Sequence, residues 1–356
     1  MTTSPRPDWQ APGPEPVAPG VHRIPLPMPS DGLRAVNVYL LSGPDELTLI
    51  DGGWAVPEGR AALEQALDQL GHPMSAISRI LVTHVHRDHY TLAVQLRREF
   101  GIPVSLGAGE RPTLDILTSR RHGRFGAQGA QLRRAGGADI ADKVGAGFSQ
   151  PDPDPPIWEQ PDHWISSGPL EASGRALRVL PTPGHTRGHI VFADEAAGLL
   201  FAGDHVLPHI TPSIGFEAAP TESPLADYLS SLELIRKLPD LTLLPAHGWV
   251  ADSTHARIAE LIAHHDERLR EMAGAVASLG TATAAQVAAA IGWTRRRRSF
   301  GSLDVFNQML AVTETFAHLN LLAADGVLTA AGDPVEFRLA QAGDPSAGPA
   351  TAAAGA

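Results

Sequence analysis

The chain predicts a layered α/β domain followed by a small winged-helix-like α+β domain, and three observations carry this. Between about residues 21 and 253, short apolar runs alternate with segments whose apolar residues recur at helical spacing. Histidines and aspartates stand at the ends of those runs, where layered α/β folds collect functional groups. Beyond Thr254 the alternation gives way to three helical segments and one hairpin.

The leader "MTTSPRPDWQAPGPEPVAPG" is proline-rich, has no apolar core of the kind a signal peptide needs, and is expected to be disordered through residue 20. "VNVYLLSG" and "LTLIDGG" read as strands joined by the turn "GPDE". In "PEGRAALEQALDQLG", Leu63, Ala66, Leu67 and Leu70 fall on one helical face and Gly71 ends it. "ISRILVTH" is a buried strand and "TLAVQLRREFG" the next helix. A glycine-broken, weakly helical insert follows over about 107–165, closing in the loop "QPDPDPPIWEQPD". Strands resume with "ALRVLPTPGH", "HIVFAD" and "GLLFAGDH". "SPLADYLSSLELIRKL" is a helix with Ser223 as N-cap and Pro224 at its first position, and "LTLLPAHG" is the last strand of the domain.

The second domain is expected over 254–340. Ile258, Leu261, Ile262, His265, Leu269 and Met272 share a helical stripe. "TATAAQVAAAIG" and "LDVFNQMLAVTETFAHLNLLAADG" add two helices, and "VLTAAGDPVEFRL" reads as a hairpin. The apolar face of the last helix (Val305, Phe306, Met309, Val312, Phe316, Leu319) needs a cover, so a homo-oligomer is one expectation. Residues 341–356 are low-complexity and expected to be disordered.

Composition narrows the function. Of 356 residues, 43% are hydrophobic and 19% charged, ordinary for a soluble protein. No run is long enough to span a bilayer, so a membrane span is not expected and the cytoplasm is the expected location. Zero cysteine removes disulfides, thiolate metal ligands and cysteine nucleophiles. A net charge of −11 argues against a protein devoted to nucleic acid.

The chemistry concentrates in "HVHRDH". His84 and His86 lie two apart at a strand end, so both project to one side, and Asp88 with His89 opens the following helix. His185 in "TPGHTRGH", Asp204 in "FAGDH" and His247 in "LPAHG" share the strand-end context. These nitrogen and oxygen donors suit a divalent cation such as zinc, with iron or manganese also accepted. Seven candidate ligands are too many for one tetrahedral ion, and two ions sharing a carboxylate fit the number better. Isolated histidines such as His22 and His72 are expected to be structural.

H-V-H-R-D-H resembles the H-x-H-x-D-H motif of the metallo-β-lactamase superfamily. "LIDGG", "TPGHT", "FAGD" and "PAHG" resemble its other motifs in the same order, over roughly Val21 to Ser253. The resemblance implies an αββα sandwich with two metals at the sheet rim. One ion would be held by His84, His86 and His185, the other by Asp88, His89 and His247, with Asp204 bridging. Asp51 would orient the metal loop from behind it. Asp88 stands where lactamases of the commonest subclass carry cysteine, so the chain looks like the glyoxalase-II-like hydrolases. His189 and His205 are candidates for a supporting layer, although a structural role is favoured for both. The motif departs from D-H-x-G-G: Thr91 and Leu92 replace the glycines, which is expected to reshape the pocket floor. Tyr90 is a candidate hydrogen-bond donor to substrate, with packing as the alternative.

A lactamase-like core followed by a winged-helix-like domain also resembles lactamase-like protein 2, an endoribonuclease, and its bacterial relatives. The resemblance implies that the insert overhangs the metal site. Over 111–134 its arginines (Arg111, Arg120, Arg121, Arg124, Arg133, Arg134) against one acid, Asp115, suggest an anionic substrate, with a solvated basic face as the alternative. Arg120, Arg121 and Arg124 are the candidate substrate-binding residues. "RRRR" at 295–298 could contact phosphates or serve solubility.

The expectation is therefore a dinuclear zinc hydrolase of a small ester or thioester. A hydroxide bridging the ions would be the nucleophile, with Asp88 and Asp204 as catalytic carboxylates. A metal-dependent endoribonuclease is the first alternative. A non-catalytic, metal-sensing winged-helix binding protein is the second.

Overall fold

A computed structural model describes residues 8–29, 31–119, 126–147, 157–294 and 296–341. Among these, the first sheet runs in chain order: β1 (Glu15–Ala18), β2 (Val21–Pro27), β3 (Ala35–Ser42), β4 (Leu47–Ile50), β5 (Ile77–Val82), β6 (Val104–Gly107) and β7 (His163–Ile165). Its pairs are antiparallel up to β4 and parallel from there. Helix α1 (Pro57–Gln69) connects β4 to β5, and α2 (Arg87–Phe100) connects β5 to β6. The second sheet has the order β12-β11-β10-β9-β8, built from β8 (Gly168–Ala172), β9 (Arg175–Pro181), β10 (Ile190–Asp194), β11 (Leu199–Gly203) and β12 (Thr242–Pro245). Helix α6 (Pro224–Arg236) precedes β12.

Period-two side-chain alternation explains the layering. On β3, Val36, Val38 and Leu40 join α1 and α2 in one core, while Tyr39 and Leu41 face the other way. On β10 and β11, Ile190, Phe192, Leu199 and Phe201 meet Tyr39, Leu41 and Ile50 between the sheets, while Val191, Ala193, Leu200 and Ala202 pack beneath α6. The result is the expected α/β/β/α sandwich.

The expectation of a disordered leader through residue 20 fails over 15–18. Glu15 to Ala18 pair antiparallel with Val21 to Arg23 on the sheet edge, where a strand containing Pro16 is tolerated. Arg23 holds this edge by an ion pair to Glu15 and by donating to the Trp9 carbonyl at 2.8 Å.

After the second sheet come α7 (Thr254–Leu279), β13 (Thr281–Thr283), α8 (Ala284–Ala290), α9 (Val305–Ala324), β14 (Leu328–Ala331) and β15 (Glu336–Leu339), with sheet order β13-β15-β14. The three helices and the hairpin match expectation, and β13 is an addition. The C-terminal part is less separate than the sequence suggested. Ile258 and Leu261 of α7 pack under the second sheet, while Met272 and Val276 of the same helix enter the C-terminal core.

The insert forms α3 (Arg111–Thr118), α4 (Gly126–Arg134) and α5 (Ala138–Gly147). Helices α4 and α5 place Leu132, Ile140 and Val144 in the same core as Met309, Val312 and Phe316 of α9. The apolar face of α9 thus gets its cover from the chain's own insert. The expected tail lies outside the described residues beyond Gln341.

Candidate metal centre

The seven candidate ligands converge where strand ends of both sheets meet. β5 delivers His84, with His86 as the N-cap residue of α2, and the first turn of α2 delivers Asp88 and His89. His185 follows β9, Asp204 follows β11 and His247 follows β12. Their donor atoms form two groups, His84/His86/His185/Asp204 and Asp88/His89/His247, each within a 4.8 Å span. His185 Nε2 lies 3.0 Å from His86 Nδ1 and 3.4 Å from Asp204 Oδ2. In the other group, His247 Nε2 lies 3.3 Å from Asp88 Oδ2 and 3.4 Å from Asp204 Oδ1, and His89 Nε2 lies 3.6 and 3.7 Å from the same two oxygens. Asp204 turns one oxygen toward each group.

A supporting layer fixes the rings. His185 Nδ1–H donates to Ser213 O at 2.8 Å and His247 Nδ1–H to Ala35 O at 2.8 Å, since a carbonyl can only accept, so both Nε2 lone pairs face the cluster. Asp51 Oδ2 sits 2.9 Å from His89 Nδ1, and its Oδ1 accepts the Thr83 amide at 2.8 Å. Thr83 Oγ1 in turn lies 3.1 Å from His84 Nδ1. Asp51 has a left-handed φ of 61°, a conformation aspartate tolerates better than most residues. His189 Nε2 accepts the Asp204 amide at 3.2 Å while its Nδ1 meets Thr182 Oγ1 at 2.9 Å, which gives it the supporting role. His205 packs against the rings of His189 and Tyr228 and accepts the Tyr228 hydroxyl at its carbonyl, 3.0 Å away. Gly203 must be glycine: a Cβ there would come 2.7 Å from Thr83 Oγ1 and 2.8 Å from His189 Nε2.

Do these residues fit a cation? His84 Nε2, His89 Nε2, His247 Nε2 and Asp204 Oδ1 are buried without hydrogen-bond partners, a condition native proteins rarely tolerate for so many polar atoms at one point. Charge says the same. Burial opposes ionisation of His89, but Asp51, Asp88 and Asp204 outweigh it and push its pKa up to about 10; burial opposes His247 too, and Asp204 and Asp88 raise it. Burial would raise Asp204 and Asp88, yet the neighbouring His247 and His89 hold both well below the usual carboxylate range. Burial and the surrounding imidazoles depress His84, and His86 falls to about 3. Carboxylates and imidazoles this deeply buried draw positive charge to one point, where divalent cations fit.

Residues 31–247 match the sequence pattern of the Metallo-beta-lactamase superfamily. The chain belongs to that superfamily. It is 30% identical over 240 residues to lactamase-like protein nscB of Aspergillus fumigatus, covering 67% of this chain but 55% of that protein, so the match spans little more than half of the fungal relative. It is 25% identical to the probable metallo-hydrolase YqjP of Bacillus subtilis, covering 89% and 96% of the two chains. Among solved structures, a metallo-beta-lactamase family protein from Thermus thermophilus superposes with a TM-score of 0.75 at 30% identity, covering 91% of this chain and 100% of that one. The last two likenesses extend past the superfamily core into the C-terminal helices.

The superfamily comprises, in general, metal-dependent hydrolases, and its motif positions sit here in the geometry described above. Two sequence expectations need correction. Tyr90 is fully buried, donates to the Glu159 carbonyl at 2.7 Å and stacks on Trp158, so it packs and does not face substrate. Thr91 and Leu92 do not line a pocket floor. Thr91 Oγ1 accepts the Ala55 amide and donates to Arg87 O, and the Leu92 amide donates to Gly53 O, tying α2 to the Asp51 loop. Arg120, Arg121, Arg124 and Arg295 lie outside the described residues. Of the other basic residues, Arg111 stacks on Trp164, Arg133 pairs with Asp142 and Arg297 with Glu271. Ser223 holds the N-cap position of α6 without a side-chain cap bond.

Sequence reading missed the backbone acceptors Ala35 O and Ser213 O, Thr83, Thr182 and also Glu110. Glu110 is fully buried and accepts from Thr186, next to His185, and the Val85 amide, between His84 and His86, also reaches its carboxyl. Burial pushes it up to about 7 against the pull of those donors. Carbonyl acceptors leave no signal in residue type, and a lone Glu ahead of a helix looks like surface.

Proposed function

We propose that the protein is a dinuclear, zinc-dependent hydrolase of a small ester or thioester, akin to the glyoxalase-II-like hydrolases. The observation that carries this reading is Asp204, whose two carboxylate oxygens each lie 3.4 Å from a histidine Nε2 of a different ligand group. Bound divalent cations supply Lewis acidity and lower the pKa of water toward neutrality. His84, His86 and His185 would hold one ion, Asp88, His89 and His247 the other, and Asp204 both. The chain's own tasks are orientation and proton handling. Asp51, Ala35 O and Ser213 O keep His89, His247 and His185 in the tautomer that directs a lone pair at the cluster. Asp88 keeps slight exposure at the start of α2 and would take up the proton released from attacking water.

The phosphodiester alternative has less support. Two described arginines of the insert, Arg111 and Arg133, are engaged with Trp164 and Asp142, and the net charge is −11. We read the C-terminal order of helix, strand, two helices and hairpin as winged-helix-like. A purely sensing role does not require a shared carboxylate between two donor sets.

The test is hydrolysis by metal-replete protein of thioesters, lactones, β-lactams and short RNA. Thioester or ester turnover, abolished by chelation and restored by zinc, is expected. Cleavage of RNA alone would overturn the substrate assignment.

A further inference from the structure

We infer that Ser213–Glu217 is a positioning strap through which the insert and the C-terminal helices set the orientation of His185. This rests on the metal reading proposed above. The supports of the other anchored rings come from the first sheet and its loops: Asp51 and Thr83 for His89 and His84, Ala35 O for His247. His185 alone among these four leans on a carbonyl of the coil between β11 and α6.

A coil carbonyl orients a ring only if something holds the coil, and the holds are on adjacent residues. Ile214 is fully buried in the core that contains Ala317 and Leu321 of α9. Gly215 O accepts from Gln131 Nε2 of α4 at 3.0 Å. Gly215 itself has φ 86°, and a Cβ there would meet Thr313 O of α9 at 3.0 Å, so the strap lies directly on that helix. Phe216 packs edge-on against Phe306 of α9, ring centres 5.6 Å apart. Glu217 accepts from Thr113 of α3 at 3.3 Å and from the Arg187 amide at 3.0 Å, returning the strap to the loop that carries His185. Insert and C-terminal helices therefore complete one metal position from a distance. That gives these two modules a task within the reaction although neither contributes a ligand.

Supports behind metal-bound histidines typically change metal affinity by about 10- to 100-fold. Phe216→Ala and Gln131→Ala should each weaken one of two bound cobalt ions about 10-fold in chelator competition and alter its visible absorption. The other ion should keep wild-type affinity. Phe216→Leu should restore the first ion. Val276→Ala, in the same C-terminal core but off the strap, controls for stability: its melting temperature should fall while both ions stay bound as in wild type. The inference is overturned if Phe216→Ala and Gln131→Ala bind both ions like wild type, or if Val276→Ala produces the same selective loss. Wild-type protein that binds no cobalt would instead overturn the metal reading, and the strap with it.

Discussion

His247 and His89 are oriented from inside the first sheet and its loops, by Ala35 O and Asp51, whereas His185 is oriented by Ser213 O on a coil held by helices from elsewhere in the chain. The Asp88/His89/His247 group is thus built by the fold's core. The His84/His86/His185 group is finished by additions to that core. The comparison teaches that one site can have two different sources of rigidity, and that damage far from the metal residues should fall on one half of it.

The largest effect should come from the residue that belongs to both halves. Asp204→Asn removes a shared charge, and hydrolysis should fall on the order of 1000-fold, with far-ultraviolet dichroism unchanged. Near-wild-type turnover would dissolve the comparison, because the halves would then not be joined. Next in size is Asp51→Asn, which keeps a residue able to adopt the left-handed backbone but removes the carboxylate facing His89. Metal affinity should drop about 10- to 100-fold, with the larger share on the second ion. An equal loss at both ions would show that Asp51 acts mainly through Thr83 and His84.

The smallest effect concerns the strap's acid. Burial, and after it the Glu110 carboxylate, push Glu217 up to about 8. A carboxyl raised in the folded state gives stability that is complete below its unfolded pKa and is lost as pH rises through the folded value. Relative to wild type, Glu217→Gln should gain denaturant stability as pH rises from 4.5 to 8.5. Parallel stability curves would mean that Glu217 carries its charge at no cost.

Much of this was legible in the sequence, for physical reasons. Metal ligands must be particular residue types at strand ends, so "HVHRDH", "TPGH", "FAGD" and "PAHG" marked all seven positions that the structure gathers. Short apolar runs at β3, β10 and β11 announced buried strands, whose residues the structure divides between two cores. Edge strand β1 was hidden because Pro16 and Pro19 make the segment look like a leader, although its register comes from Arg23 and Glu15. The position of the insert was hidden too. Leu132, Ile140 and Val144 show an apolar face but not its partner, and that partner, α9, lies more than 150 residues downstream of Leu132. Tyr90 misled because neighbours in sequence on a helix face different ways: His89 points to the cluster and Tyr90 into Trp158.

The central claim is that seven residues hold two cations and that Asp204 joins them. Its most direct measurement is the metal content of wild type, His185→Ala and His247→Ala, by elemental analysis of protein purified without chelators. The account predicts about two ions per wild-type chain and about one in each variant. A single ion in the wild type, or two in either variant, would contradict it.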